Sequence, residues 1–233
     1  MRILNMLIFL FSFCMLKAQS YKVEYNTVYE GNVYRNILYA DDSISYWEGL
    51  ADPNTADQAA EWMIKYKHLK QMIYTDYVFQ KMFYVSDSLD AMQWTPDTAT
   101  KIILNYPCVS AITFFRGRKY IAYYTSSLPS GIAPWKFGGL QGAILEVESE
   151  DHRYHFEAIS IDQEAKEDID ISIDKEDVIS WEEYCHQFIK TTNNYVRYMQ
   201  TISMAQGGTG NLKIDRPEMI YPKAQSGVGL GAE

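Results

Sequence analysis

The sequence predicts a mainly β, α+β fold: a curved antiparallel sheet, a half-barrel being one closure open to it, with one long C-terminal helix packed on it. Three observations predict this. Short runs rich in Tyr, Val and Ile recur along the chain, and 19 of its 233 residues are Tyr. Short Gly, Asn and Asp turns separate many of these runs, which favours antiparallel meanders. A helical pattern of apolar residues appears at 180–204, where Trp181, Tyr184, Cys185, Phe188 and Ile189 fall on one broad face.

The elements follow in order. Met1 to Ala18 has one early positive charge, Arg2, then an apolar core from Ile3 to Leu16 and Ala18 before Gln19. It reads as a secretory signal peptide, too short for a comfortable membrane span. Phe13 before Cys14 argues against lipid attachment, because a lipobox needs a small residue there. Cleavage removes Arg2 and Lys17 and no acid, so 19 basic residues face 30 acidic ones, a formal charge of −11. That excess disfavours nucleic acid and anionic lipid as general partners. Residues 19–205 then form one domain, and 206–233, with Pro217, Pro222 and several Gly, an extended or disordered tail.

Tyr21 to Glu30, Val33 to Ala40 and Ser43 to Trp47 read as a three-stranded meander turning at Gly31-Asn32 and Asp41-Asp42. Residues 49–60 read as a loop with a short helix, and 61–69 fits helix or strand equally. Two strands follow in 70–86. Trp94-Thr95-Pro96-Asp97 suggests a turn beside an aromatic anchor, and 101–115 a long strand region broken at Pro107. Lys119 to Thr125, Ile144 to Glu148 and Tyr154 to Ile161 are further strands. Asp168 to Asp174 alternates Asp, Ile and Ser strictly, the pattern of a strand with an isoleucine face and an acidic face. Ser180 is placed to cap the final helix, with Glu183 completing a capping box.

The candidate site is the stretch 114–148. Its loop, 126–143, is dense in Gly, Pro and Ser, and holds Trp135 and Phe137. Gly139 and Gly142 permit positive φ or close backbone approach, while Pro129 and Pro134 restrict the chain. Two readings stand. In one, the loop is a structured corner plugged by Trp135. In the other, it is a ligand rim, with Trp135 as a stacking face and Arg116, Arg118 and Lys136 as anion donors.

Several motifs in this stretch agree in order and spacing with one family. Gly139-Leu140-Gln141-Gly142-Ala143-Ile144-Leu145-Glu146 resembles G-L-P-G-L-I-L-E, with Gln141 for Pro and Ala143 for Leu. Ala133-Pro134-Trp135-Lys136-Phe137 resembles G-P-W-K-F, Phe115-Arg116-Gly117-Arg118 resembles F-R-G-R, and Tyr120 to Thr125 resembles Y-x-A-W-Y-T with Tyr123 for Trp. Cys108 stands where that family often carries Cys. The chain thus resembles the GLPGLI family of small exported proteins of Gram-negative bacteria, strongly over 108–161. The resemblance implies export to the periplasm or outer envelope and implies no established activity.

Other chemistry is weaker. His152-x-x-His155 with Glu157 has no third histidine nearby, and residues three apart on a strand face opposite sides. Glu183-x-x-His186 is half of a carboxylate metal motif. The alternating aspartates lack the glycine and terminal Glu of a calcium loop. No G-x-S-x-G is present, and Cys185 and His186, adjacent on a helix, point apart. Cys108 and Cys185 remain after cleavage; an oxidising compartment allows them to pair, and a small buried residue is the other reading of Cys185. Two functions are carried forward. One is a binding or interaction module for an envelope protein or a small apolar or anionic ligand, with no catalytic residue, metal or cofactor. The other is an enzyme using the arginine and glycine loop as an anion site.

Overall fold

The computed structural model describes residues 20–50, 61–89, 92–163, 169, 175–208 and 217–218. The signal peptide, the short helix within 49–60 and the Asp168 to Asp174 strand lie outside these residues, apart from isolated positions. Twelve strands form one open, curved sheet: β1 (Tyr21–Tyr29), β2 (Asn32–Ala40), β3 (Ile44–Gly49), β4 (Trp62–Tyr66), β5 (Gln71–Val78), β6 (Lys81–Ser88), β7 (Trp94–Ile103), β8 (Tyr106–Phe115), β9 (Arg118–Thr125), β10 (Ala143–Ser149), β11 (Tyr154–Gln163) and β12 (Val178–Ser180). Helix α1 (Trp181–Ala205) follows directly. The sheet order is β12-β6-β5-β4-β3-β2-β1-β11-β10-β9-β8-β7. All pairs are antiparallel except β12 with β6, so the expected antiparallel sheet is mixed by one short parallel pair.

β1 shows the expected alternation, burying Tyr21, Val23, Tyr25 and Thr27 on one face. β4 does not alternate: Met63, Ile64 and Lys65 are all buried. With both faces covered, period-two patterning disappears, which is why 61–69 was ambiguous in sequence. Three hairpins turn through two residues of positive φ, or a residue of positive φ and a glycine: Glu30-Gly31, Leu104-Asn105 and Arg116-Gly117.

Two strand expectations are corrected. The break in 101–115 falls at Leu104-Asn105, and Pro107 lies inside β8. Trp94-Thr95-Pro96-Asp97 is the start of β7, not a turn. β7 is an edge strand with an irregularity between Pro96 and Thr100, and an edge tolerates a proline that offers no N–H.

The curvature can be read from single contacts. β6 and β8 stand nine places apart in the sheet order, roughly 43 Å on a flat sheet at the usual strand spacing. Yet Arg116, in the turn after β8, donates to Asp87 on β6 at 2.7 and 2.8 Å. The sheet therefore curls until its two ends meet at one rim. The helix starts at that rim. Ser180 caps it, accepting from the Glu183 backbone N–H at 3.2 Å. Tyr184, Phe188, Thr192 and Val196 are buried, and Trp181, Cys185 and Ile189 pack partly buried against the core, as the helical pattern predicted.

Both cysteines are free, and the disulfide considered from the sequence is not formed: Cys108 lies buried on β8, and Cys185 on α1 packs as a small core residue. Burial raises both thiols above their ordinary range, Cys185 to about 11. Thiol titration of denatured, unreduced mature protein is expected to find two reactive groups; none would establish the crosslink instead.

Candidate functional site

The loop between β9 and β10, residues 126–142, lies inside the curl. Leu128, Ile132, Ala133, Trp135 and Phe137 all belong to the buried core. Trp135 stacks on Phe156 of β11 at 6.0 Å and 15° between planes, and meets Phe115 of β8 edge-on at 6.1 Å. Phe137 sits edge-on to Tyr120 at 5.0 Å and to Phe156 at 5.5 Å. Edge and offset arrangements like these are favoured by the ring quadrupoles. Trp94, the anchor noticed in sequence, donates its indole N–H to Gly138 O at 2.7 Å. Tyr25 of β1 donates to Ile144 O at 2.8 Å. Trp94 thus ties the loop to β7, while the Tyr25 bond falls just past the loop, on β10.

The Pro134-Trp135-Lys136-Phe137 turn closes with the Phe137 N–H on Pro134 O at 3.1 Å. Trp135 has φ of +44°, uncommon for a bulky residue and sustained here by the rings around it. Lys65 of β4 clamps the turn from the other side, donating Nζ to Ala133 O at 3.1 Å and Phe137 O at 2.7 Å. Nothing in the β4 sequence marked this lysine as an interior residue. Burial is the main cause that pulls its amine down to about 7, with Lys67 adding to it. A neutral amine has two N–H groups, and the two carbonyls use both.

That depression has a pH consequence. Between about 7 and the ordinary lysine value the unfolded chain holds a proton at Lys65 that the folded chain has released. Stability contributed by this group therefore rises with pH across that window, by at most about 1.4 kcal/mol per pH unit. Urea unfolding of wild type and Lys65→Met at pH 7 and pH 9 is expected to show a steeper rise in wild type than in the variant, where the other depressed lysines still contribute; equal pH slopes would mean that Lys65 stays charged in the fold.

The three predicted anion donors converge on one rim, but on the chain's own carboxylates. Arg116 holds Asp87 through both carboxylate oxygens and donates its other terminal nitrogen to Glu218. Lys136 Nζ donates to the second oxygen of Glu218 at 2.6 Å. Glu218 is 3% exposed. The cluster holds two cations and two carboxylates, so its charge is balanced. Aromatic faces surround it: the Arg116 guanidinium lies 3.6 Å from the Trp181 ring centre, and Lys136 Nζ 3.7 Å from that of Tyr74. Burial opposes the Arg116 charge, but Glu218 and Asp87 outweigh it and raise its pKa. At Lys136 burial wins over Glu218, and the ammonium is held below its usual value.

Arg118 is the third donor. It pairs with Asp151 and reaches Pro217 O at 3.4 Å, which Tyr120 also engages through its hydroxyl at 2.7 Å. Pro217 and Glu218 are therefore held at this rim by backbone and side chain together. The sequence placed both in the tail; only the two charges of Arg116 and Lys136, which need partners if buried, hinted at a missing carboxylate.

Gly139 and Gly142 both have positive φ, at +87° and +145°. A Cβ on Gly142 would lie 2.1 Å from Thr125 O. Glu146, at the end of the motif, takes no part in the rim cluster. It accepts from Lys101 and lies 3.1 Å from His155 Nε2, while His152 pairs with Glu148 at 2.6 Å. The two histidines have separate carboxylate partners and do not converge.

No protein-family model matches the chain, and no curated protein matches it. Among solved structures, two crystal forms of PNGF-II are each 18% identical, with a TM-score of 0.52, over 75% of this chain and 34% of that one. The chain thus spans about a third of PNGF-II, and the likeness is one of fold. The crystal structure of MucB in complex with MucA(peri) is 10% identical with a TM-score of 0.37, over 64% of this chain and 52% of that one. No helix among the described residues is long and apolar enough to cross a membrane.

Proposed function

We propose that the chain is an exported protein of the GLPGLI type, acting in the periplasm or outer envelope by binding a partner. The observation that supports this most is the grip of Arg116 and Lys136 on Glu218. The charged groups of the motif here recognise a carboxylate carried on a peptide segment. The enzyme reading needs Arg116 and Arg118, beside the glycine loop, open to a substrate, whereas each is paired with a carboxylate of the chain itself. The partner class is an envelope protein or a small apolar or anionic ligand.

Two measurements test the reading. In a Gram-negative host, the product is expected in the envelope fractions with its N-terminus at Gln19; retention of Met1 in the cytoplasmic fraction would refute export. Immobilised mature protein is expected to retain one protein or lipid species from envelope extract, and free protein should compete it off. Retention no greater than by denatured protein would refute the binding role.

A further inference from the structure

We infer that the Arg116–Lys136 rim is a recognition site for a Pro-Glu segment of another polypeptide, which the chain's own Pro217–Glu218 fills in its place. The inference rests on the binding reading above and names its ligand chemistry. A proline carbonyl followed by a glutamate carboxylate is read by two distinct sets of donors. Tyr120 and Arg118 take the carbonyl, and Arg116 and Lys136 take one carboxylate oxygen each. This division reads backbone and side chain together, as peptide recognition requires.

Charge gives the site its demand for an anion. With Glu218 seated, two buried cations face two carboxylates. With Glu218 withdrawn, Arg116 keeps Asp87 while the buried Lys136 loses its only ion-pair partner among the described residues, with just the field of Asp76 left acting on it, a costly state. A carboxylate supplied by another chain restores the balance. A second observation points to the same place. Tyr74, 2% exposed, turns its ring to Lys136, and its hydroxyl has no hydrogen-bond partner among the described residues. Its ring packs on Lys136, so the hydroxyl is an unused buried donor at the edge of the cluster.

The test uses the full mature chain and a labelled peptide copying residues 213–221, Lys-Ile-Asp-Arg-Pro-Glu-Met-Ile-Tyr. The Glu218→Gln chain, whose own tail has lost its carboxylate, is expected to bind this peptide at least tenfold more tightly than wild type, by fluorescence anisotropy. A peptide with Gln in place of its Glu is expected to lose that binding. Equal affinity for the two chains or for the two peptides, or no binding by a folded Glu218→Gln chain, overturns the inference. Should that variant fail to fold, wild type cut within 209–216 after folding replaces it. Exchange of the native tail for labelled peptide supports the inference; a tail that stays, or leaves without being replaced, overturns it. Envelope capture without peptide binding refutes this inference alone, whereas absence of envelope capture refutes the reading beneath it.

Discussion

Gly142→Val is expected to destabilise the fold by about 4 kcal/mol or more, in the range reached by few single substitutions. Two effects combine at this position. Its φ of +145° is one that side chains other than glycine's rarely adopt, and a β-branched residue fits it worst. A Cβ there would also lie 2.1 Å from Thr125 O and 2.7 Å from Thr125 C, both backbone atoms of the neighbouring β9, which cannot rotate away. The expected result is a urea midpoint far below that of wild type, or no soluble protein. Gly142→Ala should fall on the same side with a smaller loss. An unshifted midpoint for both would mean that the loop re-forms elsewhere and that its seat in the curl is not fixed.

Trp135→Ala is expected to cost about 3–5 kcal/mol, as for other buried aromatics. The indole fills the space between Phe115, Phe137 and Phe156, and a cavity there would be lined by rings that cannot collapse independently. Trp135→Gly gives a useful contrast. The φ of +44° strains alanine and suits glycine, so the glycine variant should be no less stable than the alanine variant, although it loses more side chain. Thermal unfolding of the three proteins checks both points. An unchanged midpoint in Trp135→Ala would return the loop to the ligand-rim reading.

Much of the fold was legible because local chemistry and global packing agreed. β1 to β3, β5, β6 and β9 to β11 carry β-rich composition and bounded turns, and α1 carries its cap and apolar face. The misreadings have physical causes. Leu104-Asn105 makes a tight turn with two residues of positive φ and no glycine to announce it, while Pro107 looked like a break. Pro96 looked like a turn because its tolerance in β7 depends on β7 being an edge, a property of the assembled sheet.

The site was legible in part. Arg116, Arg118, Trp135, Lys136, Gly139 and Gly142 were picked from the motif, and all lie in or beside the loop and its rim. Their partners were not. Asp87 and Glu218 are distant in sequence, and Lys65 sits in a stretch with no periodic signal. A single sequence shows that a charge is present and not what it faces.

The order of strands in the sheet bears on how the chain reaches its native state. β2 to β5 pair with near neighbours in sequence, as do β7 to β10, and β6 does so on its β5 side while its other side waits for β12, so each group can form locally and early. β1 is different: it joins β2 on one side, but on the other Tyr21 pairs with Gln163. That seam joins the two local groups across most of the chain, and it carries the loop-closure entropy of everything between. High contact order of this kind places refolding in the slow, millisecond-to-second regime of β-rich domains, with the β1–β11 seam as the step that awaits both halves. Until the seam closes, β1 and β11 each present a bare edge, and the aromatic loop has no interior to enter. The partly folded chain is then most exposed to pairing with its own copies, a reason for such a sequence to be held apart from others while it folds.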